Sequence, residues 1–107
     1  MLAAVLKAVY TKVNLDPKLI GDISVGNVLP PGGGATVARM AQLYAGIPHS
    51  TPLNTVNRQC SSGLTAVHQI ANEIKAGDID IGIGESDIRV TCSASWATSD
   101  TTWLTSP

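Results

Sequence analysis

Apolar residues recur along this chain at helical and then at strand spacing, and the alternation lays out its elements. Leu2, Val5, Leu6, Val9 and Val13 follow three- and four-residue steps, which predicts a helix with one buried face. Asn14 to Pro17 stops it, and Asp16-Pro17 suits the start of a short turn through Ile20. Asp22 to Leu29 reads as a strand, with Ile23 and Val25 alternating inward and Val28 a third candidate. Pro30 to Gly34 is a turn that cannot continue a strand. A second helix is expected over Ala35 to Ala45, with Val37, Met40, Ala41 and Tyr44 on one side and Gly46 as its stop. Ile47 to Pro52 is loop and Leu53 to Asn57 a short strand. From Ser61 to Ala76 the stripe Leu64, Val67, Ile70, Ala71 and Ile74 predicts a third helix, closed by Gly77. Asp80 to Ile83 is a last short strand.

Helices and strands in strict alternation predict an α/β layer with a mixed or mainly parallel sheet. The order begins on a helix, so a further strand is expected upstream. Beyond Gly84 the pattern fades. Residues 85–107 hold both tryptophans among many Ser and Thr, without Gly and without a sustained period. They read as an irregular, disordered C-terminal tail, because Ser/Thr-rich sequence offers little burial against the entropy of ordering. Val90-Thr91-Cys92 is the one stretch in it suited to extended backbone.

A chain of 107 residues is one domain at most. Its charged fraction is 14%, below the usual value of about a quarter, so part of its surface is expected to need a covering partner. The net charge of −1 gives no footprint for nucleic acid or an anionic membrane. Cys60 and Cys92 make no disulfide framework, and no stretch is apolar enough for a membrane span. Lys7 interrupts the first apolar segment, which has no basic n-region, so no targeting signal is visible; the ending Thr105-Ser106-Pro107 is no peroxisomal address.

Val56-Asn57-Arg58-Gln59-Cys60-Ser61-Ser62-Gly63-Leu64 holds the candidate chemistry. A strand turns there into a helix with a cysteine on the turn. Backbone N–H groups at a helix N-terminus carry partial positive charge, which favours a thiolate and can face an oxyanion on an attacked carbonyl. Ser61 and Ser62 suit the first helical turn, and Gly63 admits another backbone or a substrate. On these residues alone two readings stand, a nucleophile or a small buried hydrophobe. His68 lies eight residues on, about 12 Å along a helix rising roughly 1.5 Å per residue, too far to serve as base. It reads as a helix-surface or interface residue, and His49 as a solvated loop residue. Pro31-Gly32-Gly33-Gly34 lacks the Gly-Lys-Ser/Thr ending of a phosphate loop. No Cys/His spacing suggests a metal, and Asp78 and Asp80 read as surface charges.

Several segments together resemble one family. They are Gly21 to Leu29, Gly32-Gly33-Gly34-Ala35, Ala38-Arg39, Gly46-Ile47-Pro48, and Thr55-Val56-Asn57-Arg58-Gln59-Cys60-Ser61-Ser62-Gly63. The chain resembles the 3-ketoacyl-CoA thiolases, above all the peroxisomal kind, over about residues 2–84. The resemblance implies a partial thiolase N-terminal domain at 1–84, followed by a divergent tail at 85–107. It implies that Cys60 is the catalytic nucleophile of an acetyl-CoA C-acyltransferase of fatty-acid β-oxidation. In that reaction the cysteine takes the acyl group of a 3-ketoacyl-CoA as a thioester, acetyl-CoA leaves, and CoA accepts the shortened acyl chain. CoA and acyl-CoA are then substrates, and no cofactor or metal is implied. A peroxisomal location, a five-layered fold of two similar halves and an obligate homodimer are also implied, with the strand before Cys60 at the dimer interface. The family's activating histidine and second, acid/base cysteine come from a C-terminal half that this chain does not match, nor does Cys92 match that second cysteine. The isolated chain is therefore expected to be inactive. The competing reading is a non-catalytic truncated product that at most binds a full-length thiolase subunit.

Overall fold

The computed structural model describes residues 1–86 and the strand 102–105. The first helix, α1, runs Leu2–Lys12. Leu6 and Val9 carry its buried face, and Val13, at the C-cap, is turned to solvent. A single 3₁₀ turn follows at Pro17–Leu19, where the Asp16 carboxylate accepts the Lys18 N–H at 3.0 Å. The acid before the proline thus caps the turn as its position predicts.

Strand β1 covers Asp22–Gly26, three residues shorter than the apolar pattern suggests. It is buried on both faces, so its sequence does not need to alternate. Pro31–Gly34 forms a 3₁₀ turn in which Gly32, Gly33 and Gly34 all take left-handed φ values near +65° (61°, 67° and 69°), a run that side chains with a Cβ would resist. It delivers the chain into α2, Ala35–Tyr44. Strand β2 is Leu53–Val56, α3 is Ser62–Ala76, and β3 is Ile81–Ser86. Thr102–Thr105 forms β4.

The sheet order is β2-β1-β3-β4. β1 pairs in parallel with β2 and β3, and β4 closes the other edge antiparallel to β3. The sheet is mixed, as the alternating pattern predicts. One layer lies on each side of it. On the first, α1 and α2 cover Ile23, Val25 and Ile83, and this is the main core, joined by Leu6, Val9, Ala38, Ala45 and Ile47. On the second, α3 lies close against small residues: Gly26, Gly82 and Gly84 all face its backbone or side chains, and Ser24 contacts Gln69.

One helix is rotated from the face its apolar residues predict, and on another a single residue of the predicted stripe, Leu64, turns outward while Val67 and Ile70 meet the sheet. On α2, Val37 is 66% exposed, Met40 64% and Tyr44 88%, while Ala38, Gln42 and Ala45 are buried. The small side chains allow α1 to approach, and the Tyr10 hydroxyl donates to the Ala45 carbonyl at 2.6 Å. Gln42 is held inside because its amide donates to the Pro48 and Thr51 carbonyls at 3.1 and 2.9 Å, while its own oxygen accepts from Arg39 at 2.7 Å. On α3 the buried line is Ser62, Ala66 and Ile70, and Leu64 is 70% exposed. β3 runs on through Glu85 and Ser86, past the point where the sequence pattern changes. The Val90-Thr91-Cys92 stretch and the rest of 87–101, with 106–107, lie outside the described residues.

Candidate active site

The C-terminal ends of β1 and β2 lie together, tied by the Asn27 N–H donating to the Val56 carbonyl at 2.9 Å. Five residues separate the end of β2 from the start of α3, and Cys60 is among them, exposed. It therefore occupies the strand-to-helix junction predicted from the spacing, ahead of the α3 N-terminus and its partial positive charge. Binding sites of α/β sheets gather at this end of parallel strands.

Side chains of the turn itself hold it in shape. Asn57 Oδ1 accepts the Gln59 N–H at 3.0 Å. Gln59 stands at φ 51°, left-handed and unusual for a residue with a Cβ. Ser62, on the first turn of α3, is buried. Its Oγ accepts the Arg58 N–H at 2.8 Å and donates to the Gln59 carbonyl at 2.7 Å, with the Asn27 carbonyl at 3.4 Å. Ser61, at the cap, is exposed and makes no side-chain cap bond. The two serines look equivalent in sequence but differ completely in use.

The start of α3 is pressed against the strand ends. A Cβ on Gly26 would stand 2.5 Å from the Ser62 carbonyl carbon, and one on Gly63 would stand 2.6 Å from the Ser86 Cβ. Gly63 thus admits another strand, one of the two uses its position predicts. His68 lies exposed further along α3 in an open groove with Thr65, Gln69, Asn72, Glu73, Ala76 and Asp78, and His49 is an exposed loop residue. Neither is brought onto the Cys60 turn. Asp78 and Asp80 are exposed, as read from sequence. Among the described residues no group of three or more His, Cys, Asp or Glu could hold a metal ion, and no helix is long and apolar enough to cross a membrane.

Sequence reasoning missed the clasp made by Asn57 and Ser62. Its signal is the pair of short polar side chains flanking the turn, three residues before the cysteine and two after it.

The thiolase N-terminal domain family matches residues 1–85. The chain belongs to that family. Over 83 residues this thiolase-family chain is 60% identical to the peroxisomal 3-ketoacyl-CoA thiolase A of Mus musculus, covering 78% of the chain and 20% of the mouse protein. It is 62% identical over 85 residues to 3-ketoacyl CoA thiolase 1, peroxisomal, of Petunia hybrida, covering 78% and 18%. Among solved structures, the peroxisomal thiolase of Saccharomyces cerevisiae, a five-layered structure of two core domains of identical topology, superimposes with TM-score 0.73 at 49% identity, covering 78% of this chain and 25% of the yeast chain. A thiolase of Ascaris suum in complex with coenzyme A gives TM-score 0.73 at 30% identity, covering 79% and 22%. The thiolase-family chain spans about a fifth of the length of the relatives it matches.

Proposed function

We propose that this chain carries the nucleophile of a peroxisomal-type 3-ketoacyl-CoA thiolase, with Cys60 as the acyl acceptor. The observation that carries the reading is the exposed Cys60 on a clasped turn at the head of α3, inside the segment shared with the thiolases. The Cys60 sulfur attacks the 3-keto carbon of a 3-ketoacyl-CoA. The C2–C3 bond breaks, its electron pair leaves on acetyl-CoA and takes up a proton, and the acyl group stays on sulfur as a thioester. The thiol of CoA then attacks that thioester, releasing a shortened acyl-CoA and the cysteine. CoA and acyl-CoA are substrates, and the reaction needs no metal. A thiolase subunit is the partner, meeting β2 at the edge of the sheet, and the compartment is the peroxisome of the close relatives.

The isolated chain does not complete this chemistry. His49 lies in a loop before β2 and His68 two turns along α3, so neither histidine serves as the general base for the sulfur or the acid for the leaving carbon, roles each worth about 10²–10⁴ in rate. Purified chain is expected to show no measurable thiolysis of acetoacetyl-CoA. The positive test grafts residues 1–84 in place of the matching segment of a full-length peroxisomal thiolase. Thiolysis by that chimera, abolished by Cys60→Ala, supports the reading; thiolysis that survives Cys60→Ala refutes it.

A further inference from the structure

The Cys60 turn is built against its own backbone preference. Gln59 carries a Cβ yet holds φ 51°, a left-handed conformation that persists in such a residue only where the surroundings impose it. Both polar groups of the Gln59 backbone are held by side chains. Asn57 Oδ1 takes its N–H at 3.0 Å, and the Ser62 hydroxyl donates to its carbonyl at 2.7 Å. The same Ser62 oxygen takes the Arg58 N–H at 2.8 Å, so one buried hydroxyl grips two consecutive residues just before the cysteine. Backbone bonds then wind the turn into α3: Ser61 N–H to the Arg58 carbonyl and Ser62 N–H to the Gln59 carbonyl, each 3.1 Å.

We propose that Asn57 and Ser62 are positioning residues for Cys60, clasping Gln59 in its left-handed conformation so that the sulfur is presented at the N-terminus of α3. The assignment rests on reading Cys60 as the acyl acceptor. If the clasp is lost, Gln59 relaxes to an ordinary φ and the following residue swings away from the helix axis. The fold need not change, since Asn57 is exposed and the core lies elsewhere.

The test measures carboxamidomethylation of Cys60 by iodoacetamide on the full chain at neutral pH, with peptide mapping to separate it from Cys92. Native chain is compared with chain in concentrated urea. Native Cys60 is expected to react faster than the unfolded residue by a factor on the order of ten. Asn57→Ala and Ser62→Ala should each bring the rate back toward the unfolded value by about threefold or more. Asn57→Ser keeps a short accepting oxygen without adding charge and should restore most of the native rate. Ile70→Ala, which weakens the core beneath α3 without touching the turn, should leave the rate unchanged and so separates positioning from general destabilisation. Should Ser62→Ala fail to fold, the exposed Asn57 pair decides the matter alone. A native rate retained in Asn57→Ala overturns the positioning role while leaving the acyl-acceptor reading intact. A wild-type rate equal to that in urea overturns both.

Discussion

Asp22 opens β1 where burial works against its charge. Burial first, and then a hydrogen bond shared with the Glu73 carboxyl on α3, push its carboxyl up from 3.8 to about 6, against the opposing pull of the Ile23 N–H bonded to Oδ1. The folded chain therefore holds this proton more tightly than the unfolded chain. Its contribution to stability is complete below the unfolded value of 3.8 and is lost as pH rises through about 6. Asp22→Asn should raise stability at neutral pH and flatten this decline, read as the difference in urea midpoint between variant and wild type across that window. The groups facing Asp22 sharpen the expectation: β3 places Gly82 opposite it, so Glu73 is the charged neighbour contributed by the helix layer. Sequence alone gives no hint of this pair, 51 residues apart, because no local spacing or pattern links the two carboxylates. Gln42 was hidden for a related reason. A glutamine among apolar residues reads as the outward side of a helix, and only the loop carbonyls of Pro48 and Thr51 give it a reason to be inside.

The elements were legible where local pattern dominates and were not where a partner decides. All three helices, and the strands β1, β2 and β3, stand where the two periodicities place them, and so does the Cys60 junction. The inward face of α2 could not be read, because the period counts apolar side chains while α1 selects for small ones: Ala38 and Ala45 fit beneath it, and Met40 does not. Glu85 ends the apolar run in sequence, yet the β1 pairing carries β3 past it to Ser86. The same preference for small residues sets α3 on its sheet. Gly26→Ala would drive a methyl to within 2.5 Å of a backbone carbon in Ser62, and backbone cannot swing aside as a side chain can. Overpacking of this kind typically costs about 1–3 kcal/mol. Gly26→Ala should therefore lower the unfolding midpoint and also slow Cys60 alkylation, since the contact lies on the first turn of α3.

For the molecule as a whole, the outward residues Val37, Met40, Leu43 and Tyr44 put a row of large apolar side chains along α2, with Leu64 on the opposite layer. A soluble monomer usually tolerates only a few hundred Å² of contiguous apolar surface. The isolated chain is expected to self-associate, with sedimentation coefficients that rise with concentration. Replacing Met40 and Tyr44 together with lysine should shift it toward monomer at little cost to the fold, because both are solvent-exposed already. A monomeric wild-type chain at high concentration would contradict this expectation.

The central position of β1 has a consequence for how the chain acquires its structure. β1 is hydrogen-bonded on both sides, and its partner on the β3 side comes late: Asp22 meets Gly82, 60 residues further on. Closing so long a loop spends entropy before any ladder forms, which makes such topologies slow to fold. A nascent chain leaving the ribosome N-terminus first can pair β1 with β2 early, yet must wait for Ile81–Ser86 before the second ladder zips. Hydrogen exchange on stalled nascent chains should show the Gly21 N–H, which bonds to the Ile81 carbonyl at 2.8 Å, unprotected until β3 has cleared the exit tunnel. The Ile23 N–H, bonded to Pro52 on the β2 side, should already be slow. During that interval the half-finished edge of β1 is what chaperones and neighbouring chains would meet.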